Sequence, residues 1–63
     1  MLKNSVQTKR KAAQMTQEDL AAVIGVTRQT IISIEKGNYV PSVLLALKIA
    51  ICFRVPVEDV FYL

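Results

Sequence analysis

Sixty-three residues allow a single domain with a small hydrophobic core, too little to enclose a large substrate. A hydrophobic fraction of 52% excludes a disordered chain, while no apolar run approaches the roughly 20 residues of a membrane span. The net charge of +3 lies wholly in residues 1–40, where Lys3, Lys9, Arg10, Lys11, Arg28 and Lys36 face Glu18, Asp19 and Glu35; this imbalance suits a polyanion at that end.

Five short periodic segments are predicted in chain order. The first runs from about Ser5 to Ala13, with Val6, Arg10 and Ala13 on one face. The second begins at Thr16, an N-cap whose partner three positions on, Asp19, completes a variant of the capping box. Glu18 and Asp19 also complement the positive end of the helix dipole. Leu20, Ala21 and Ile24 supply its buried face, and Gly25 can take the left-handed turn that ends it. The third segment, residues 28–36, is capped by Thr27 and turns Ile31 and Ile34 inward. The isoleucines at 31, 32 and 34 are indifferent helix formers, but the flanking caps favour helix over strand. The fourth starts after Pro41-Ser42 and continues to about Phe53. Val43, Ala46, Ile49, Ala50 and Phe53 are its expected inward face, widened by Leu44, Leu47 and Ile51. A helix apolar nearly all round is central or lies at an interface. The fifth is one or two turns, about Val57 to Phe61, opened by Glu58 and Asp59.

Two short helices joined by a glycine-containing turn, Thr16–Ile24 and Arg28–Lys36 around Gly25–Thr27, match the helix-turn-helix arrangement. Ala21 lies near the helix crossing, where a larger side chain would push the pair apart. The run from Met15 to Ala50, with Thr16-Gln17-Glu18-Asp19-Leu20-Ala21, Gly25-Val26-Thr27-Arg28-Gln29-Thr30-Ile31 and Ile34-Glu35-Lys36-Gly37 followed by Pro41-Ser42, resembles the phage repressor/Cro-like (Xre) family. Leu45-Ala46, Ile49-Ala50, Phe53 and Val57–Phe61 extend the resemblance over essentially the whole chain. It implies an all-α fold, a compact five-helix repressor-like domain spanning residues 1–63 that binds double-stranded DNA through its third helix. Repression of transcription is the expected output.

The resemblance implies that Arg28, Gln29 and Ser33 face base edges. Arginine can donate twice to guanine, and glutamine can pair with adenine. Gln17, at the start of the second helix, and Thr27, Thr30, Lys36, Asn38 and Tyr39 are expected along the phosphate backbone. Lys9, Arg10 and Lys11 form a basic cluster for the same role. Arg10 also resembles a family arginine paired with the carboxylate at the Glu35 position. Glu35, Ala21, Ile31 and Ile34 support the geometry. Gln14 and Arg54 stand where the family often has glycine, so each is expected in a left-handed conformation or in a reshaped turn. Pro56 replaces a serine-like cap.

Other classes are weaker readings. Cys52 has no histidine partner, and no metal-ligand cluster, nucleophile constellation or phosphate-binding glycine motif is present, so neither an enzyme nor a cofactor is expected. One cysteine and no signal segment point to a reducing, cytoplasmic setting. A module for a protein partner, such as a toxin, that merely keeps the helix-turn-helix is the principal rival. Leftover hydrophobicity on Leu44, Leu47, Ile51, Phe61, Tyr62 and Leu63 predicts a homodimer through the C-terminal third.

Overall fold

A computed structural model describes residues 2–63. Four α-helices follow one another: α1 (Val6–Ala12), α2 (Gln17–Ile24), α3 (Arg28–Glu35) and α4 (Val43–Phe53). A 3-10 turn at Val57–Asp59 stands where a fifth helix was expected. Two short strands, β1 (Lys3–Asn4) and β2 (Phe61–Tyr62), join the chain ends in an antiparallel ladder pairing Lys3 with Tyr62 and Asn4 with Phe61.

The missing fifth helix has a local cause. Pro56, at φ −61°, precedes the turn without a side-chain cap, and Phe61 and Tyr62 favour extended backbone. Val60 is fully buried, and its carbonyl accepts the Ser5 N–H at 2.9 Å. The segment therefore leaves the helical path to pair with the start of the chain.

The helix signals elsewhere hold. Thr16 Oγ1 accepts the Asp19 N–H at 3.0 Å, and Asp19 Oδ2 accepts the Thr16 N–H at 2.9 Å, closing the expected capping box. Gly25 ends α2 at φ 85°. Thr27 and Ser42 cap α3 and α4 by accepting the N–H groups of Thr30 and Leu45. Gln14 and Arg54 both take the left-handed conformation at φ 57°. Each closes a Schellman turn: Gln14 N–H donates to Lys11 O and Met15 N–H to Arg10 O, and Arg54 N–H donates to Ile51 O and Val55 N–H to Ala50 O.

The core comprises Val6, Leu20, Ala21, Ile24, Ile31, Ile34, Leu45, Ile49, Ala50 and Val60. Three expected inward residues, Ala13, Val43 and the half-buried Ala46, are not in it. Ala13 is exposed because it lies past the last turn of α1, at the approach to Gln14. Val43 is 77% exposed, and α4 instead buries Leu45, Ile49 and Ala50, with Cys52 and Phe53 packed against the core. α4 is apolar almost all round, so its periodicity did not single out the inward face.

Candidate nucleic-acid interface

The helix pair is built from the inside out. Leu20, Ala21 and Ile24 of α2 meet Ile31 and Ile34 of α3, and all five are buried. Ala21 leaves room for this approach, and the left-handed Gly25 reverses the chain over three residues. Val26 is packed against the core beneath the turn.

A charged cluster locks the end of α3 to the rest of the domain. Arg10 Nε donates to Glu35 Oε2 at 2.7 Å, and Nη2 donates to Glu35 Oε1 at 3.2 Å. The remaining nitrogen, Nη1, donates to the Met15 carbonyl at 2.9 Å. Gln17 Nε2 adds a bond to Glu35 Oε1 at 3.1 Å. The two charged side chains are only 8% and 5% exposed. The Glu35 hydrogen bond holds the Arg10 guanidinium above its ordinary, already high pKa; burial opposes that rise, and the charge of Glu35 adds to it. The expected Arg10–Glu35 pair is present. Its burial turns Arg10 away from solvent, so the phosphate role expected of that residue lacks a free cationic head. Gln17 spends one amide hydrogen on Glu35 and keeps the other.

With its inner side fixed, α3 presents a polar outer side. Arg28 and Gln29 are exposed on its first turn, and Ser33 is half-buried one turn on. At 3.6 residues per turn, Gln29, Ser33 and Lys36 run along the side opposite Ile31 and Ile34. Thr27 and Thr30 flank the N-terminus, their hydroxyl oxygens 3.1 Å apart. Lys36, Asn38 and Tyr39 lie exposed where the chain leaves α3. Gly37, at φ 79°, makes that exit: its N–H donates to Ile34 O at 2.9 Å, and the Asn38 N–H donates to Ser33 O at 3.0 Å. Since Arg10 is neutralised by Glu35, the side-chain charges left among the described residues 2–40 are Lys3, Lys9, Lys11, Arg28 and Lys36 against Glu18 and Asp19.

A helix-turn-helix family model matches residues 6–60, which takes in all four helices, the 3-10 turn and every residue just placed on the α3 side. The chain belongs to the helix-turn-helix family, in its Cro-like, Xre-type form. Among its relatives is the uncharacterized HTH-type transcriptional regulator YgzD of Bacillus subtilis. The two are 53% identical over 62 residues, covering 98% of this chain and 94% of the relative. The uncharacterized HTH-type transcriptional regulator MJ0272 of Methanocaldococcus jannaschii is 55% identical over 60 residues, covering 95% and 91%. The crystal structure of the restriction-modification controller protein C.AhdI from Aeromonas hydrophila superposes with a TM-score of 0.79 at 26% identity. That match covers 86% of this chain and 82% of C.AhdI.

Two features of this helix-turn-helix domain were absent from the sequence reading. Asn4 reaches α3 from the chain start, its Nδ2 donating to the Ile34 carbonyl at 2.9 Å. Val40 and Val43, 75% and 77% exposed, extend the apolar surface of Leu44 (64%), Leu47 (44%) and Ile51 (74%). Tyr62 and Leu63 are exposed as expected, whereas Phe61 packs against the core. A hint of the first feature lay in Asn4 two residues before Val6, the spacing of an Asx turn.

Proposed function

We propose that this chain is a DNA-binding transcriptional regulator that reads an operator with α3 in the major groove and acts as a homodimeric repressor. The observation that carries the reading is the division of α3. Ile31, Ile34 and Glu35 are held inside, while Arg28 and Gln29 stand exposed on the outer side, with the half-buried Ser33 one turn on. Such a helix fits the major groove of B-form DNA, where Arg28 and Gln29 have the donors and acceptors to distinguish base pairs. The names of its relatives support the regulatory reading.

Around that helix, Gln17, Thr27, Thr30, Lys36, Asn38 and Tyr39 are positioned to follow the phosphates, and Lys9 and Lys11 add charge along α1. The first N–H groups of α2 lack intrahelical partners and favour an anion beside Gln17. Phosphate contacts set register and affinity, and the α3 face sets the sequence. The apolar stripe on α4 supports a twofold pair. With extents of 26 × 22 × 19 Å, two abutting copies are large enough to present their α3 helices to successive major grooves, about 34 Å apart. Repression then follows from occupancy, because a bound dimer denies the same DNA to other proteins.

Selection of bound duplexes from a random pool tests the reading. A palindromic site is expected, with half-sites about one turn apart. Arg28→Ala and Gln29→Ala should each lose about 1–3 kcal/mol of discrimination at one base position. Random duplex should be held much as before. Equal losses on selected and random DNA would remove base reading from α3.

A further inference from the structure

Asn4 is the residue through which the terminal ladder touches the recognition helix. Its backbone pairs with Phe61 in β1–β2. Its side chain makes two bonds in different directions. Oδ1 accepts the Val6 N–H at 3.1 Å, starting α1, and Nδ2 donates to the Ile34 carbonyl at 2.9 Å, thirty residues away. Ile34 O also accepts the Gly37 N–H, so both of its lone pairs are engaged where α3 ends. The next residue, Glu35, is held by Arg10 from the interior of α1 and by Gln17 from the start of α2.

We infer that Asn4 is a positioning residue for base recognition: by tying the last turn of α3 to the start of α1, it fixes the angle at which Arg28 and Gln29 are presented. The inference rests on the reading of α3 as the base-contacting helix. α3 has eight residues and is about 12 Å long, so a tilt at its C-terminal end is carried to the first turn. Base-edge hydrogen bonds weaken steeply as their angle departs from linear. Phosphate contacts through long lysine side chains tolerate the same displacement. Loss of the Asn4 anchor therefore reduces discrimination before it reduces affinity for DNA in general. Arg10 and Gln17 hold only the Glu35 side chain, whereas Asn4 holds the helix backbone itself.

The decisive variant is Asn4→Asp. It keeps an oxygen to accept the Val6 N–H and loses the N–H that reaches Ile34. Binding to the selected operator and to random duplex is measured well below the melting temperature. The expected result is a fall of about fivefold in the operator-to-random ratio, the scale of one intramolecular hydrogen bond, with random binding within about twofold of wild type. Asn4→Ser provides the uncharged control: serine can still form the local turn over Val6 but is too short for the Ile34 carbonyl. It should show the same loss of ratio, which separates positioning from the added charge. A wild-type ratio in either folded variant would overturn the inference. So would failure of both variants to fold, since Asn4 would then be holding the domain together rather than aiming a helix. If wild-type protein itself fails to discriminate operator from random duplex, the reading of α3 falls instead, and that outcome is recognised before any variant is made.

Discussion

Asp19 links the first turn of α2 to proton concentration. Its carboxylate accepts the Thr16 N–H, and that backbone bond, followed by the bond with the Thr16 side chain, lowers its pKa from the ordinary value. A carboxyl with a depressed folded-state pKa contributes stability that is present above its unfolded value, near 4. That contribution is lost as pH falls through the folded value. The domain should therefore become less stable below about pH 4, and Asp19→Asn should flatten part of this acid limb. Denaturant midpoints measured across that range test the link; parallel profiles for both proteins would place the acid sensitivity elsewhere. The Arg10–Glu35 pair works differently. Two buried charges gain little net stability over apolar packing, but either one left alone is costly, so the pair specifies an arrangement more than it strengthens one.

At the scale of elements, two helices end on side chains in a conformation that favours glycine. Arg54, in the left-handed region, carries a steric cost that glycine lacks, partly offset by glycine's greater freedom when unfolded. Arg54→Gly should thus raise stability by up to about 1 kcal/mol, read as a higher thermal midpoint. No gain would mean that Arg54 makes a compensating contact in the shallow groove of about 340 Å³ that it lines with Lys9, Cys52 and Phe53. The strain itself was legible in the sequence, because a polar residue stood where a family turn favours glycine. So were the caps at Thr16, Thr27 and Ser42, whose short-range hydrogen bonds depend only on neighbours a few residues away. The inward face of α4 was not legible, since leucine, isoleucine and alanine surround that helix and only its neighbours decide which side they cover. The exchange of a fifth helix for a turn and a strand was hidden for a related reason. A two-residue strand has no periodicity, and its partner lies at the other end of the chain. On α3, Arg28 and Gln29 are exposed on the first turn, which agrees with the base-facing role that the family resemblance implied for them. The contact of Asn4 was not legible, since its partner at Ile34 is a backbone carbonyl that no side-chain pattern marks.

At the scale of the molecule, the apolar stripe of Val43, Leu44, Leu47 and Ile51 is left to solvent at a cost of roughly 25 cal/mol per Å² exposed. A homodimer through this stripe should appear as a concentration-dependent mass in sedimentation equilibrium, and Leu47→Glu should shift it to monomer. A wild-type mass that stays monomeric at high micromolar concentration, with one subunit per operator, would leave the stripe to a different protein partner. The terminal ladder has a further consequence, in time rather than space. A chain made from its N-terminus completes Asn4 early and the helix pair soon after, yet Asn4 finds its ladder partner only when Phe61 has emerged. Closing so long a loop must await the packing of what lies between. A nascent chain can thus display the two-helix motif, and draw on its charge to touch DNA, before α3, the helix proposed to read bases, is fully moored. If α3 reads bases as proposed, discrimination arrives only once Phe61 has joined the ladder.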